Sequence, residues 1–258
     1  MHPYLIQIGS KTIPSYGFFL TLGYLASILV ILILSRKQKL PLVEITSYAL
    51  FGTVISILGA KIYIWLSDII RNFSVYVQSP KEILRIPEGG GGFYGGLILG
   101  ILFSIWYLPK VRLPFWKVAD IVGAGTALGY SLSRIGCFMA GCCYGRPSSL
   151  PWAVSFPPLS EPVHPTQLYD SGLNFMNFLA LLTVLNRKKF DGQVISLDII
   201  INSGIRFFVE FYRGDAGRGY VFQGKSAYAS LSIPQLICLI GVATGISLYL
   251  IHKKRAKL

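Results

Sequence analysis

Apolar positions along this chain come in long runs, not in alternation and not in narrow amphipathic stripes. A helix needs about 20 predominantly apolar residues to cross a hydrocarbon core. Seven stretches meet or approach that length: 16–34, 45–66, 93–109, 117–138, 168–185, 194–212 and 231–251. The first, second and last are clear, the third is short, and the fourth and sixth carry charges that lower their hydropathy. The pattern predicts an all-α polytopic membrane protein with about seven transmembrane helices. The connections are too short for a soluble domain, so one integral-membrane domain over 1–258 is expected. The first run has its basic cluster after it and no small-residue cleavage site, so it reads as a span and not as a secretory signal.

Composition agrees with that solvent. Of the 258 residues 53% are hydrophobic and 14% charged, where a soluble domain has about 25% charged. Apolar content is too high for disorder, and mean hydropathy is +0.57. The net charge of +13 in a soluble chain would raise nucleic-acid binding. Here its distribution matters more. Arg36, Lys37 and Lys39 follow the first run, and Lys110, Arg112 and Lys117 follow the third. Arg187, Lys188 and Lys189 follow the fifth, and Lys253, Lys254, Arg255 and Lys257 end the chain. The opposite side holds fewer basic residues over longer connections. The positive-inside rule then places the N-terminus outside and the C-terminus in the cytoplasm. No nucleic-acid partner is expected.

Glycines in small-xxx-small spacing, Gly96/Gly100, Gly125/Gly129 and Gly241/Gly245, predict close helix crossings. Ionisable residues inside spans are costly and are paired or functional. They are Lys61, Asp120, Arg134, Asp198, Arg206 and Glu210, with Asp170 near a helix start. At 1.5 Å per residue, Arg134 lies ~25 Å, Arg206 ~18 Å, and Glu210 and Lys61 ~24 Å from the cytoplasmic side. Asp120 and Asp198 sit near the cytoplasmic ends, where they pair with basic loops or snorkel. Arg206 and Glu210 share a helix face at i, i+4. Two arginines at similar depth leave positive charge in a low-dielectric place, and the guanidinium fork suits phosphate. The nearest abundant anion is a phospholipid head group of the outer leaflet.

The outer connections converge on the same depth. Gly89 to Gly96 open the third span with backbone N–H groups free to face an anion, or act as a linker. His164 enters the fifth span and Tyr16 opens the first, both from outside. Cys137, Cys142 and Cys143 lie together without any CxxC pair, so neither a zinc ribbon nor a thioredoxin-like motif is supported. Three readings stand open for them: small packing residues, a redox or metal site, or a nucleophile at Cys142.

The motifs resemble those of the bacterial prolipoprotein diacylglyceryl transferase family along nearly the whole chain. Ser15-Tyr16-Gly17 resembles the family's Tyr-Gly entry to the first helix, and Gly59-Ala60-Lys61 its Gly-Ala-Arg. Phe93-Tyr94-Gly95-Gly96 resembles its Phe-His-Gly-Gly. The run from Arg134 through Cys137, Ala140, Cys142 and Gly145 to Arg146 resembles its arginine-to-arginine signature. His164-Pro165-Thr166-Gln167-Leu168-Tyr169-Asp170 and Arg206-Phe207-Phe208-Val209-Glu210-Phe211-Tyr212-Arg213 resemble two further motifs, and Gln235 matches as well.

The resemblance implies transfer of the diacylglyceryl group of phosphatidylglycerol to the thiol of a lipobox cysteine in a secreted prolipoprotein. Glycerol 1-phosphate is released. The site would face the outer side of the inner (plasma) membrane, and no cofactor or metal is called for. By resemblance Arg134 and Arg206 hold the head group, Glu210 orients Arg206, and Arg146 and Arg213 are outer-rim contacts. Tyr94, His164 and Glu210 join the catalytic set, and Tyr16, Lys61, Gly95, Gly96 and Gly145 the binding set. The departures are Tyr94 for the family's histidine, Cys137 and Ala140 for two asparagines, Cys142 for a glutamate and Asn202 for a tyrosine. They leave two other readings: a non-catalytic phospholipid-binding protein, and a cysteine-dependent membrane thiol oxidoreductase. A transporter fits less well, because the polar residues gather on one side and not at a midplane between repeats.

Overall fold

The computed structural model describes residues 4–8, 11–79, 81, 92–157, 159–214, 219–222, 224 and 230–256. Gly89 to Gly91 of the glycine run, and Arg85, Arg218, Lys225 and Lys257, lie outside the described residues. In chain order the elements are β1 (Tyr4–Ile8), β2 (Lys11–Pro14), α1 (Ser15–Lys37), α2 (Leu42–Arg71), α3 (Phe73–Gln78) and α4 (Phe93–Lys110). Then follow α5 (Phe115–Ala140), α6 (Thr166–Arg187), α7 (Gln193–Glu210), β3 (Tyr220–Phe222), β4 (Leu231–Ser232) and α8 (Ile233–Arg255). Each of the seven apolar runs is a long helix. Five of them are apolar enough by themselves to cross a membrane, and α5 and α7 are the exceptions. Those are the two charge-bearing runs, so the charges that depress their hydropathy are the price of the site they carry. The short helix α3 and two antiparallel pairs, β1–β2 and β3–β4, were not anticipated. Their strands are too short to leave a pattern of period two.

The backbone divides into two compact units, one of Met1–Leu34 with Trp116–Leu258 and one of Ser35–Phe115. In the second, α2 and α4 meet backbone to backbone. A Cβ on Gly59 would lie 2.5 Å from the carbonyl oxygen of Gly95, and one on Gly95 would lie 2.3 Å from that of Gly59. Gly96 and Gly100 both face Ser56. The crossing is flanked by Tyr48, whose hydroxyl hydrogen-bonds Ser104 at 2.8 Å and whose ring stacks on Phe103.

In the first unit the same device joins α1 to α5. A Cβ on Gly129 would lie 2.1 Å from Ser27 Oγ and 2.8 Å from the Gly23 carbonyl. Ser27 Oγ donates to the Gly125 carbonyl at 2.9 Å. Gly241 packs on Ser203 and Gly245 on Ser196 and Ile200, which seats α8 on α7. All three predicted glycine pairs therefore mark helix crossings. Gly129→Val is expected to cost about 1–3 kcal/mol through overpacking. Gly172→Ala, whose Cβ meets nothing within 4 Å, is the matched control and is expected to gain about 0.5–1 kcal/mol. Thermal unfolding of both in detergent checks this, and equal melting of Gly129→Val and the parent chain contradicts it.

The basic end of this unit is closed by Asp120. Its carboxylate, fully buried on α5, accepts from the backbone N–H groups of Gly192 and Ile195, both at 3.0 Å. It also pairs with Lys188 Nζ at 2.9 Å. It thus caps the N-terminus of α7 from another helix, where a negative charge complements the helix dipole, and pairs with a basic loop as expected. Asp198 instead accepts from Asn177 Nδ2 at 2.8 Å.

Candidate active site

Three helices of the first unit bring charge to one place. Tyr130 and Arg134, four residues apart on α5, share a face. Asp170 stands in the first turns of α6, and Arg206 and Glu210 share a face of α7 near its end. Asp170 is the hub. Its Oδ2 lies 3.1 Å from Arg134 Nε and 3.9 Å from Arg206 Nη1, and accepts from the Tyr130 hydroxyl at 3.2 Å. Arg134 also donates through Nη2 to the Tyr130 hydroxyl. Arg206 Nη2 pairs with Glu210 Oε2 at 2.6 Å, and Arg213 Nε lies 3.9 Å from the same oxygen. Ser232, the N-cap of α8, donates to Glu210 Oε1 at 3.3 Å.

Burial gives the chain of ion pairs its character. The carboxylate side chains are 3% (Asp170) and 1% (Glu210) exposed, while Arg134 and Arg206 keep 16% and 22%. Among the described residues three guanidiniums face two carboxylates. Arg206 Nη1 is buried and makes no hydrogen bond among the described residues. A buried donor that makes no hydrogen bond is costly, and a guanidinium donor in that position is suited to an anion's oxygen.

The strand-like connections complete the setting. Gly145 N donates to the His164 carbonyl at 2.9 Å and Arg146 N to the Tyr212 carbonyl at 2.9 Å. The 144–147 segment is therefore held between the entry to α6 and the exit of α7. A Cβ on Gly145 would lie 2.6 Å from His164 Cβ and 2.7 Å from the Tyr212 carbonyl, so packing alone accounts for glycine there. The same holds for Gly95 at the α2–α4 crossing. His164 Nδ1 meets the Tyr169 hydroxyl at 3.2 Å, and its ring lies against Tyr212. Burial lowers its pKa below the usual 6.5, so the imidazole is neutral at pH 7.

The predicted residues divide accordingly. Arg134, Arg206 and Glu210 come together as expected, and Tyr16 lies beside them, its backbone close to Gly136. Arg213 differs from the expected rim residue: it is 7% exposed and belongs to the ion-pair chain. Arg146 reaches it from the half-buried neighbouring segment, with Nε donating to the Arg213 carbonyl at 3.0 Å. Lys61, Tyr94, Gly95 and Gly96 belong to the second unit, where Lys61 and Tyr94 are exposed. The site readings missed Asp170 and Tyr130. The spacing of Tyr130 to Arg134 was a usable signal, since it is the i, i+4 relation that was sought on α7. There Asn202 stands instead, and donates to Asn174 at 3.0 Å. A cavity of about 290 Å³ lined by Thr183, Val184, Arg187 and Gln193 lies near the other end of α6 and takes no part in the cluster.

The cysteines also converge. The sulfurs of Cys137, Cys142 and Cys143 lie within 4.8 Å of one another, and none forms a disulfide. Within the trio, hydrogen bonds from Cys137 and Cys142, and beyond them the charges of Arg213 and Arg134, hold the Cys143 thiol below its usual pKa. Arg134 Nη1 points to Cys137 Sγ at 4.0 Å, so the cysteines and the ion-pair chain share a residue.

Fold and site together define a polytopic, mostly helical membrane protein organised around a cluster of arginines held on buried carboxylates. Residues 3–251 match the prolipoprotein diacylglyceryl transferase family, and the chain belongs to that family. It is 34% identical over 260 residues to the phosphatidylglycerol–prolipoprotein diacylglyceryl transferase of Clostridium tetani, covering 99% of each chain. The enzyme of the same name from Finegoldia magna is 32% identical over 93% of this chain and 91% of its own. That of Methylococcus capsulatus is 31% identical over 95% and 93%.

Proposed function

We propose that this chain transfers the diacylglyceryl group of phosphatidylglycerol to the lipobox cysteine thiol of secreted prolipoproteins. Glycerol 1-phosphate is the second product. The observation that carries this reading is that two partly exposed guanidiniums, Arg134 and Arg206, are held side by side on buried carboxylates, with Arg206 Nη1 making no hydrogen bond among the described residues. The partly exposed guanidiniums of Arg134 and Arg206 hold the phosphodiester. In the transfer a carbon–oxygen bond of the diacylglyceryl group breaks and a carbon–sulfur bond forms. Negative charge gathers on the departing phosphate, where preorganised donors act most strongly. Glu210 positions Arg206 and is a poor base, because both its oxygens are engaged. His164, neutral at pH 7, is the better acceptor for the thiol proton. Tyr16, Lys61, Tyr94, Gly96 and Arg146 remain assigned to the lipid or acceptor path. The protein sits in the inner membrane, N-terminus and site outside and C-terminus in the cytoplasm, as the placement of its basic residues supports.

Expression of this chain in a bacterium depleted of its own transferase tests the reading. Lipobox substrates should regain their lipid, and unmodified substrates despite good membrane expression overturn it. The base assignment has its own test. A general base must be deprotonated, so activity should fall as pH drops through the lowered pKa of His164. His164→Gln should remove that acid limb along with most of the rate. An unchanged pH profile in His164→Gln takes the proton away from this residue.

A further inference from the structure

We propose that Cys137, Cys142 and Cys143 form a three-thiolate site for one soft divalent cation of the zinc class. Nothing in the transfer reaction calls for such a site, and the inference stands without it. The backbone builds the site. Helix α5 ends in a Schellman turn: Gly141 takes φ 72°, its N–H bonds the Phe138 carbonyl, and the N–H of Cys142 returns to the Cys137 carbonyl at 3.1 Å. This turn folds the second residue beyond the helix cap back over the residue three before it. The two so joined are Cys142 and Cys137.

Cys143 comes next with φ 62°, a left-handed conformation that a non-glycine residue adopts at a cost. That conformation swings its side chain toward the other two. The entry of α6 holds it there, because Thr166 Oγ1 donates to the Cys143 carbonyl at 2.9 Å and Gln167 Nε2 to the Cys142 carbonyl at 2.7 Å. Strain of this kind, held by its surroundings, gathers at functional sites.

The distances and charges fit a thiolate-bound ion. Sulfurs at about 2.3 Å from a tetrahedral zinc ion lie about 3.8 Å apart, so three sulfurs already within 4.8 Å of one another need to move by only about 1 Å. Three thiolates and a divalent cation carry one net negative charge. The guanidinium of Arg134 adjoins that charge, and its Nη1 faces Cys137 Sγ as an outer hydrogen-bond partner does in metal–thiolate sites. Cys142 is exposed, which gives the ion a way in. Three protein ligands also leave one tetrahedral position for an exogenous ligand, as in zinc sites that do chemistry.

The test uses the full chain in detergent, reduced, stripped with a chelator and kept free of oxygen. Cadmium is added as the probe and zinc as its competitor. A sulfur-to-cadmium charge-transfer absorption should saturate at one ion per chain and be displaced by zinc. Cys137→Ser with Cys142→Ser should abolish it, and Cys238→Ser should leave it intact. A second measurement needs no variant: one equivalent of zinc should slow alkylation of Cys142 by at least about tenfold, because only the free thiolate reacts. The proposal is overturned by absence of a saturable band, by equal binding in the double variant, or by alkylation indifferent to zinc. A Cys137–Cys142 disulfide forming equally fast with and without zinc also overturns it. Each readout is independent of transfer, so loss of the metal site and loss of the transferase activity are told apart.

Discussion

Asp170→Asn is expected to destabilise the protein by about 3–5 kcal/mol, because it removes the buried charge that two partly exposed guanidiniums share. The carboxylate is 3% exposed and lies 3.1 Å from Arg134 and 3.9 Å from Arg206. An asparagine keeps the size of the side chain and can still accept from the Tyr130 hydroxyl. What it loses is charge alone. The cluster then carries one more net positive charge than before, in surroundings that solvate it poorly. For a chain of this length the effect is a fall in Tm on the order of 10 °C. The same change makes the cluster a stronger anion site, so added phosphatidylglycerol should raise the Tm of the variant more than that of the parent chain. A zwitterionic phospholipid should not. Equal melting of variant and parent chain in detergent would mean that Asp170 is not the hub of the ion pairs.

Arg134→Lys is expected to lower the transfer rate by about 10²- to 10³-fold, the loss typical of one preorganised donor aimed at developing charge. Arginine is used here for its fork. One guanidinium reaches Asp170 through Nε, Tyr130 through Nη2 and Cys137 through Nη1. A lysine ammonium is a point charge on a flexible stem and cannot hold three directions at once. Because the charge is retained, the fold should survive better than in Arg134→Ala, and the two variants separate charge from geometry. Comparable loss of rate in both, with Arg134→Lys melting near the parent chain, is the outcome that the fork argument requires. Near-full activity of Arg134→Lys would reduce Arg134 to a counter-ion for Asp170.

These two residues also show how far the sequence could be read. Arg134 was legible because an arginine some 25 Å into an apolar run is costly and needs a reason. Arg206 and Glu210 were legible through their helical spacing. Asp170 was visible as a residue near a helix start and as the end of the His164 motif, but its role arises from the packing of α5, α6 and α7. No local pattern records that packing. The helices themselves followed from the lengths of the apolar runs, including α5 and α7, whose charges place them below the hydropathy of a free-standing span. The glycine pairs were legible because only small residues allow two helix backbones to touch.

What stayed hidden was small or non-local. The β1–β2 and β3–β4 pairs have two to five residues per strand, too few for alternation to stand out. The cysteines were visible as neighbours, but a spacing of five from Cys137 to Cys142 does not bring side chains together on a continuing helix. The turn at Gly141 does so, and its left-handed conformation depends on where α5 stops. Arg213 was expected at the rim only by resemblance to the family. The bridge of Gly145 with Arg213 and the proximity of Glu210 draw it inward.

The most direct test of the account is transfer with purified components. The full chain in detergent is mixed with phosphatidylglycerol and a peptide that carries a lipobox cysteine, and both products are followed by mass spectrometry. The account predicts a peptide that gains one diacylglyceryl group on its cysteine sulfur, with one glycerol phosphate released per peptide modified. A folded, lipid-bound protein that leaves the peptide thiol free and releases no glycerol phosphate contradicts it.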